Sequence, residues 1–224
     1  MKLSKNRKKQ LESIDFEKTY SLEEGLKLIK ERKFVKFDES IDVALNTSID
    51  TKQSDQNLRG SFVPPHGLGK KFTIAVFAQG KLAEEAVALG VKYVGGEDLI
   101  EKLEKNIDVD VVVSTPDMMS VVSKIAKILG PKGMMPNPKT GTVTNDIKTT
   151  IENINKGLIT YKNDKDGTIH ASVGKLSFED NKLSENISSF IEEVKKNKPN
   201  NVKGNFLNSV YISSSMGIGL KVAI

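Results

Sequence analysis

An α+β domain assembled from both termini, carrying a smaller α/β domain inserted into it, is what the pattern of apolar residues in this chain predicts. Three observations lead there. Between about residues 70 and 156, short apolar runs alternate with helical runs, as in a parallel α/β layer structure. Both flanks instead show strands that alternate apolar and polar residues, and the C-terminal flank adds one long amphipathic helix. Neither flank alone holds enough helix and sheet to close a core, so the two ends must combine. Residues 1–66 with 158–224 are therefore expected to form the split domain, and residues 67–157 the insert.

The elements follow in order. Ser21-Leu22-Glu23-Glu24 reads as a capping box, and Leu22, Leu26 and Ile29 then repeat at helical spacing. From residue 40 to 49 the period changes to two, with Ile41, Val43, Leu45, Thr47 and Ile49 on one side and Ser40, Asp42, Asn46 and Ser48 on the other. A second strand, 58–63, ends at Pro64-Pro65-His66-Gly67. The middle third reads as strand 72–77, helix 81–89, strand 93–94, helix 97–105, strand 109–113, helix 116–129 and helix 146–156. After Gly157, strands 158–162 and 168–173 flank a turn at 163–167. A helix carrying Leu183, Ile187, Phe190, Ile191 and Val194 on one face stops before Pro199. Strands 210–215 and 220–223 close the chain. The two glycine-bearing crossings, 64–69 and 156–157, would make a hinge.

Composition narrows the classes of function. The 224 residues contain no cysteine, which excludes disulfides and thiolate metal sites and points to a reducing compartment. His66 and His170 are the two histidines, leaving little for histidine metal chemistry. No apolar run approaches the roughly 20 residues of a membrane-spanning helix, and the N-terminus lacks the apolar core of a secretory signal. The net charge of +5 favours a polyanionic partner. Five of the 34 basic residues, Lys2, Lys5, Arg7, Lys8 and Lys9, crowd the first nine positions, leaving 29 basic against 29 acidic residues in the body. Two further clusters, Lys30/Arg32/Lys33/Lys36 and Lys195/Lys196/Lys198, read either as polyanion contacts or as solvated faces.

Residues 130–143, GPKGMMPNPKTGTV, are the least explained by generic folding needs. Three prolines and three glycines surround Met134 and Met135, with Lys132 and Lys139 alongside. Such a segment specifies an ordered, non-repetitive loop.

This block resembles the L-one family of large-subunit ribosomal proteins, bacterial type. TPDMM at 115–119, YVGGEDLI at 93–100, KFDES at 36–40, SDQNLRG at 54–60 and PHGLGK at 65–70 extend the resemblance. NDKDGTIH at 163–170, VGKLSF at 173–178 and SMG at 215–217 carry it to essentially the whole chain, in order. The resemblance implies a split α+β domain with an inserted Rossmann-like domain. It implies a ribosome-associated, cytoplasmic protein that binds rRNA of the mobile stalk beside the tRNA exit site. It further implies help in releasing exit-site tRNA and, in many bacteria, repression of translation from the protein's own mRNA leader. No cofactor, metal or membrane is implied, and the free chain is expected to be monomeric.

The resemblance places the principal rRNA site at Lys36, Phe37, Ser40, Ser209, Ser215, Met216 and Gly217, with Lys162, Lys165 and His170 contributing. Physical reasons accompany each. Structured RNA is read through 2′-hydroxyls, phosphates and unstacked bases. Phe37 can stack on a base, although residue type alone favours a core position. Ser40 and Ser215 can exchange hydrogen bonds with 2′-hydroxyls, or be ordinary solvated serines. Gly217 would let RNA approach the backbone or simply make a turn. Met216 offers an adaptable apolar contact or core filling. Lys36, Lys162 and Lys165 suit phosphates, and His170 reads equally as a neutral surface histidine. Strand parity groups Thr168, His170 and Ser172 on one side, and Ser209, Tyr211, Ser213 and Ser215 likewise. Lys132 and Lys139 are assigned a secondary RNA contact or a latch. Two departures from the family pattern, Ser213-Ser214-Ser215 in place of threonines and Ile218 in place of proline, predict a less constrained backbone at this turn.

An enzyme is the rival class. The strand ending near Phe77 is followed by Ala78-Gln79-Gly80-Lys81, not by G-x-G-x-x-G, and Gly67-Leu68-Gly69 precedes that strand. No phosphate-loop motif occurs, and no nucleophile elbow surrounds either histidine. A protein adaptor using Met118-Met119 or Met134-Met135 is the other rival, with core packing the simpler use of the first pair.

Overall fold

The computed structural model describes residues 11, 14–15, 18–105, 109–199, 201–202 and 204–223. The basic run Lys2, Lys5, Arg7, Lys8 and Lys9 lies outside them. In chain order the first elements are α1 (Leu22–Glu31), β1 (Ser40–Thr47), β2 (Arg59–Phe62), β3 (Ile74–Phe77), α2 (Lys81–Ala88), β4 (Tyr93–Gly95), α3 (Asp98–Lys105) and β5 (Val111–Ser114). There follow α4 (Met119–Lys124), α5 (Ala126–Leu129), α6 (Ile147–Lys156), β6 (Ile159–Lys162), β7 (Thr168–Lys175), α7 (Asp180–Lys196), β8 (Leu207–Ser214) and β9 (Leu220–Val222). Spatially these form two compact units, Met1–Gly69 with Ile159–Ile224, and Lys70–Leu158. The unit boundaries fall slightly later than Gly67 and Gly157 suggest. Leu68 packs against the core of the first unit and Leu158 against that of the second.

The first unit is built on a four-stranded antiparallel sheet in the order β7-β1-β8-β9. Period-two alternation in β1 sends Ile41, Val43 and Leu45 to one face, where they are fully buried. Ile169, Val173, Val210, Ile212 and Leu220 join them from the neighbouring strands. Against this face lie Leu26 and Ile29 of α1 and Leu183, Ile187, Phe190 and Val194 of α7. Full burial of such side chains contributes about 1.5–3 kcal/mol each. The capping box starts α1: Ser21 Oγ accepts the Glu24 N–H at 3.3 Å, and the Glu24 carboxylate accepts the Ser21 N–H at 3.4 Å. β2 does not extend the main sheet. It pairs with β6 in a two-stranded ribbon whose Phe62 and Tyr161 rings stand 5.6 and 5.5 Å from Phe190.

The second unit is a parallel sheet, β4-β3-β5, with helices on both faces. Its fully apolar central strand, Ile74–Phe77, is buried at every position, as a two-sided parallel strand must be. Phe77 and Val112 face Leu99, Met118, Val122, Ile125 and Leu129, while Val76 and Val113 face Ala86, Ile147, Ile151 and Ile154. The expected single helix over 116–129 is instead a 3₁₀ turn at Pro116–Met118 followed by α4 and α5, broken at Ile125. Ser123 Oγ donates back to the Met119 carbonyl at 2.8 Å, and the Ile125 N–H turns to the Val122 carbonyl at 3.1 Å. That local competition tightens the chain, while Val122, Ile125 and Leu129 still reach the core.

Candidate nucleic-acid interface

The second face of the main sheet remains open, and its residues form rows across β7, β1 and β8. Thr168, Asn46 and Ser209 make one row, and His170, Ala44 and Tyr211 the next. Ser172, Asp42 and Ser213 make a third. The fourth row depends on a bulge. Asp42 pairs with Ser172 but Ile41 with Gly174, so β7 gains a residue and Lys175 comes to sit opposite Ser40. A bulge re-aims the side chains beyond it: Lys175 Nζ donates to Ser40 Oγ at 3.0 Å.

Beyond that row, three consecutive residues before and at the start of β1 secure two other pieces of chain. The Asp38 carboxylate accepts the Ser177 N–H at 3.1 Å and its O–H at 2.8 Å. The Glu39 carboxylate, in a residue only 1% exposed, accepts the Met216 N–H at 2.9 Å and the Ser214 O–H at 3.2 Å. Ser40 and Ser215 close the pair reciprocally, Ser215 N–H to the Ser40 carbonyl and Ser40 N–H to Ser215 Oγ, both at 3.1 Å. The Gly217 N–H donates to the Ser214 carbonyl at 3.1 Å. A Cβ on Gly217 would collide with Ser214 Oγ, so glycine here serves close approach within the turn. The turn expected to be loosely constrained is therefore pinned by a buried carboxylate. Ile218, standing where proline was anticipated, is itself buried at 2% exposure.

Around this turn two apolar side chains face water. Phe37 is 53% exposed and Met216 51%, which excludes the core reading of both. Lys36 is exposed beside them. Lys36, Phe37, Ser40, Ser215, Met216 and Gly217 thus gather at one end of the open face. Ser209, six positions along β1 from Ser40 by its pairing with Asn46, lies about 20 Å away at a strand rise of 3.3 Å per residue. Its neighbours at that end are His170 and the 163–167 hairpin carrying Lys165, with exposed Lys162 entering it. In the hairpin the Asp164 carboxylate accepts the Thr168 and Asp166 N–H groups at 2.9 and 3.0 Å. The Thr168 N–H above all, then the Asp166 N–H and the His170 ring 3.6 Å away, holds this carboxyl below the usual range.

Asp42 sits mid-face. Burial pushes its carboxyl above the usual range, partly offset by the Ser172 hydroxyl and by the charges of Lys175 and His170. Like Glu39, Ser214 and Lys175, it was not among the site residues expected from the sequence. Parity held a signal for two of them: Glu39, just before β1, and Ser214, at the end of β8, continue the inward positions of those strands, and buried polar groups need partners. The bulge that brings Lys175 to the face had no such signature.

The 130–143 loop belongs to the second unit. Asn137 organises it: its N–H donates to Thr142 Oγ1 at 2.8 Å, its side chain accepts the Lys139 N–H at 2.8 Å, and its carbonyl accepts Thr140 Oγ1 at 3.0 Å. Gly141 supplies the left-handed residue after the turn. Met134 and Met135 pack against the second unit's core, while Lys132 and Lys139 are exposed. Among the described residues no group of histidines and carboxylates suits a metal ion, and no helix is long and apolar enough to cross a membrane.

The sequence profile of the ribosomal protein L1p/L10e family matches residues 28–218, a stretch containing every site residue from Lys36 to Gly217. The chain is 47% identical over 222 residues to the large ribosomal subunit protein uL1 of Coxiella burnetii, covering 99% of this chain and 96% of that protein. Against the large ribosomal subunit protein uL1 of Streptococcus uberis the identity is 46% over 222 residues, covering 99% and 97%. With that of Thermosipho africanus it is 48% over 211 residues, covering 93% and 91%.

Proposed function

This chain belongs to the ribosomal protein L1p/L10e family, whose members are large-subunit ribosomal proteins and not enzymes, and from that premise we propose that it anchors rRNA of the mobile stalk on the open face of its main sheet. The pinned turn at 214–217 is the observation that carries this reading. It presents Ser215 and Met216 beside exposed Phe37 and Lys36. Hydroxyls fixed at known positions can exchange hydrogen bonds with 2′-hydroxyls, and an exposed ring can stack on an unpaired base. The far end of the face, with Ser209, His170, Lys162 and Lys165, would take the continuation of the same RNA. In this reading the split unit is the RNA-binding domain and the Lys70–Leu158 unit is an inserted domain. Lys132 and Lys139 would provide its secondary contact or latch.

A titration of the whole chain against the isolated stalk rRNA fragment and a scrambled RNA tests the proposal. Tight, fragment-specific binding with a shallow salt dependence is expected, because most proposed contacts are uncharged. A steep salt slope with no preference between the RNAs would mark nonspecific polyanion adhesion and end the proposal.

Two roles follow from the same placement. The chain assists release of deacylated tRNA from the exit site; ribosomes lacking it should then release that tRNA more slowly. It also represses its own message through an rRNA-like leader, so a reporter behind that leader should fall when the chain is supplied. An unchanged reporter would remove that role. A monomer is expected in sedimentation when the chain is free of the ribosome.

A further inference from the structure

We propose that Phe34 is a second stacking group of the same interface, so that RNA reaching the 214–217 turn meets two aromatic side chains along one segment of chain. The inference rests on the RNA-binding reading and extends it to residues that reading does not use. Between α1 and β1 the chain runs Lys33-Phe34-Val35-Lys36-Phe37, a cation–aromatic pair repeated at an interval of three. Phe34 is 42% exposed, and neither it nor Phe37 packs into a core cluster. Among the described residues neither ring meets another ring or a cation.

Anchors at both ends make this a presented segment. At its start the Arg32 N–H donates to the Leu28 carbonyl and the Lys33 N–H to the Lys30 carbonyl, both at 3.3 Å. Lys30 itself is taken up by the Asp180 carboxylate and the Phe178 carbonyl. At its end Asp38 holds Ser177, and Glu39 holds the turn. Only Val35 between the two pairs is partly covered. Among the described residues no carboxylate pairs with Lys33 or Lys36, and both are exposed.

Charge chooses the occupant. An apolar protein surface would not favour two unpaired ammonium groups alternating with the rings, whereas RNA offers a π face and a phosphate at each nucleotide. Three residues of chain separate the two Cα atoms by at most about 11 Å, within reach of neighbouring nucleotides on one strand. Phe34 thus stacks on an unpaired base, and Lys33 neutralises a phosphate beside it.

The test measures binding of the stalk rRNA fragment by the full chain carrying Phe34→Ala, Phe34→Tyr, Phe37→Ala or Lys33→Gln, across a salt series. Phe34→Ala should weaken binding about tenfold without altering the salt slope, since stacking is uncharged. Phe34→Tyr should bind as the parent does. Lys33→Gln should lower the slope by about 0.7, the value for one single-strand phosphate. Parental affinity in Phe34→Ala together with weakened Phe37→Ala would overturn this inference and leave the interface standing. Parental affinity in both would overturn the interface with it. Both rings are solvent-exposed, so unchanged thermal unfolding should accompany each variant.

Discussion

Replacing Gly217 with alanine probes the pinned turn most directly. The added Cβ overlaps Ser214 Oγ and otherwise meets Ser214 Cβ at 3.4 Å and Ser214 N at 3.5 Å, both ordinary contacts. The hydroxyl must therefore rotate away, breaking its 3.2 Å bond to the Glu39 carboxylate. A hydrogen bond to a charged group is worth about 1.5–3 kcal/mol, so Gly217→Ala should lose about 2 kcal/mol in urea unfolding. Affinity for the stalk fragment should fall by more than tenfold if the displaced turn carries Ser215 and Met216 with it, since 1.4 kcal/mol is about tenfold. Ser214→Ala removes the same bond and should cost a similar amount. The double variant decides the matter. With Oγ gone, nothing obstructs the new Cβ, so Gly217→Ala should add almost nothing in the Ser214→Ala background. Additive losses, or a Gly217→Ala protein as stable as the parent, would refute the account.

Three further outcomes follow. Glu39→Ala leaves the Ser214 hydroxyl and the Met216 N–H without their acceptor and should cost about 2–4 kcal/mol at the usual penalty for unmet buried groups; Glu39→Gln, keeping one carbonyl acceptor, should recover part of it in the same unfolding assay. Asn186, fully buried on α7, receives the His66 N–H at 3.1 Å and donates to the carbonyls of Gly67 and Val173 at 3.2 and 2.9 Å. Asn186→Ala should therefore cost about 3 kcal/mol and expose the 66–67 peptide bonds to proteolysis. Asp42 has a folded pKa above its ordinary 3.8, so the folded state holds that proton more tightly than the unfolded chain. Its ionisation then costs stability, fully above the folded pKa and not at all below 3.8. Asp42→Asn should raise the melting temperature at pH 7, with a gain that shrinks as the pH falls toward 3.8; a gain independent of pH would contradict the assignment.

Periodicity made most of the secondary structure legible. The inward set Ile41, Val43 and Leu45 and the outward hydroxyls of β8 are each a direct reading of period two. The split at Ile125 was hidden, because Val122, Ile125 and Leu129 fit one continuous helical stripe as well as two short turns. The pairing of β2 with β6 was hidden too, since alternation states which face a strand buries and not which neighbour it takes. At the interface, residue type alone would have buried Phe37, and only the fold shows its ring left out. The gathering of Ser40 with Ser215 needed the register of β1 against β8, a pairing of residues 175 positions apart.

That separation has a consequence for how the chain comes into being. Phe37 and Glu39 leave the synthesising machinery well before Ser214, Ser215 and Met216, as the 175 positions between Ser40 and Ser215 require. Loop closure over so long a span comes late in folding. A growing chain therefore has the Phe37 ring before the 214–217 turn is seated beside Glu39, so the proposed RNA seat would be incomplete until β8 pairs with β1. On the proposed reading, competence to bind RNA arrives only when β8 docks on β1.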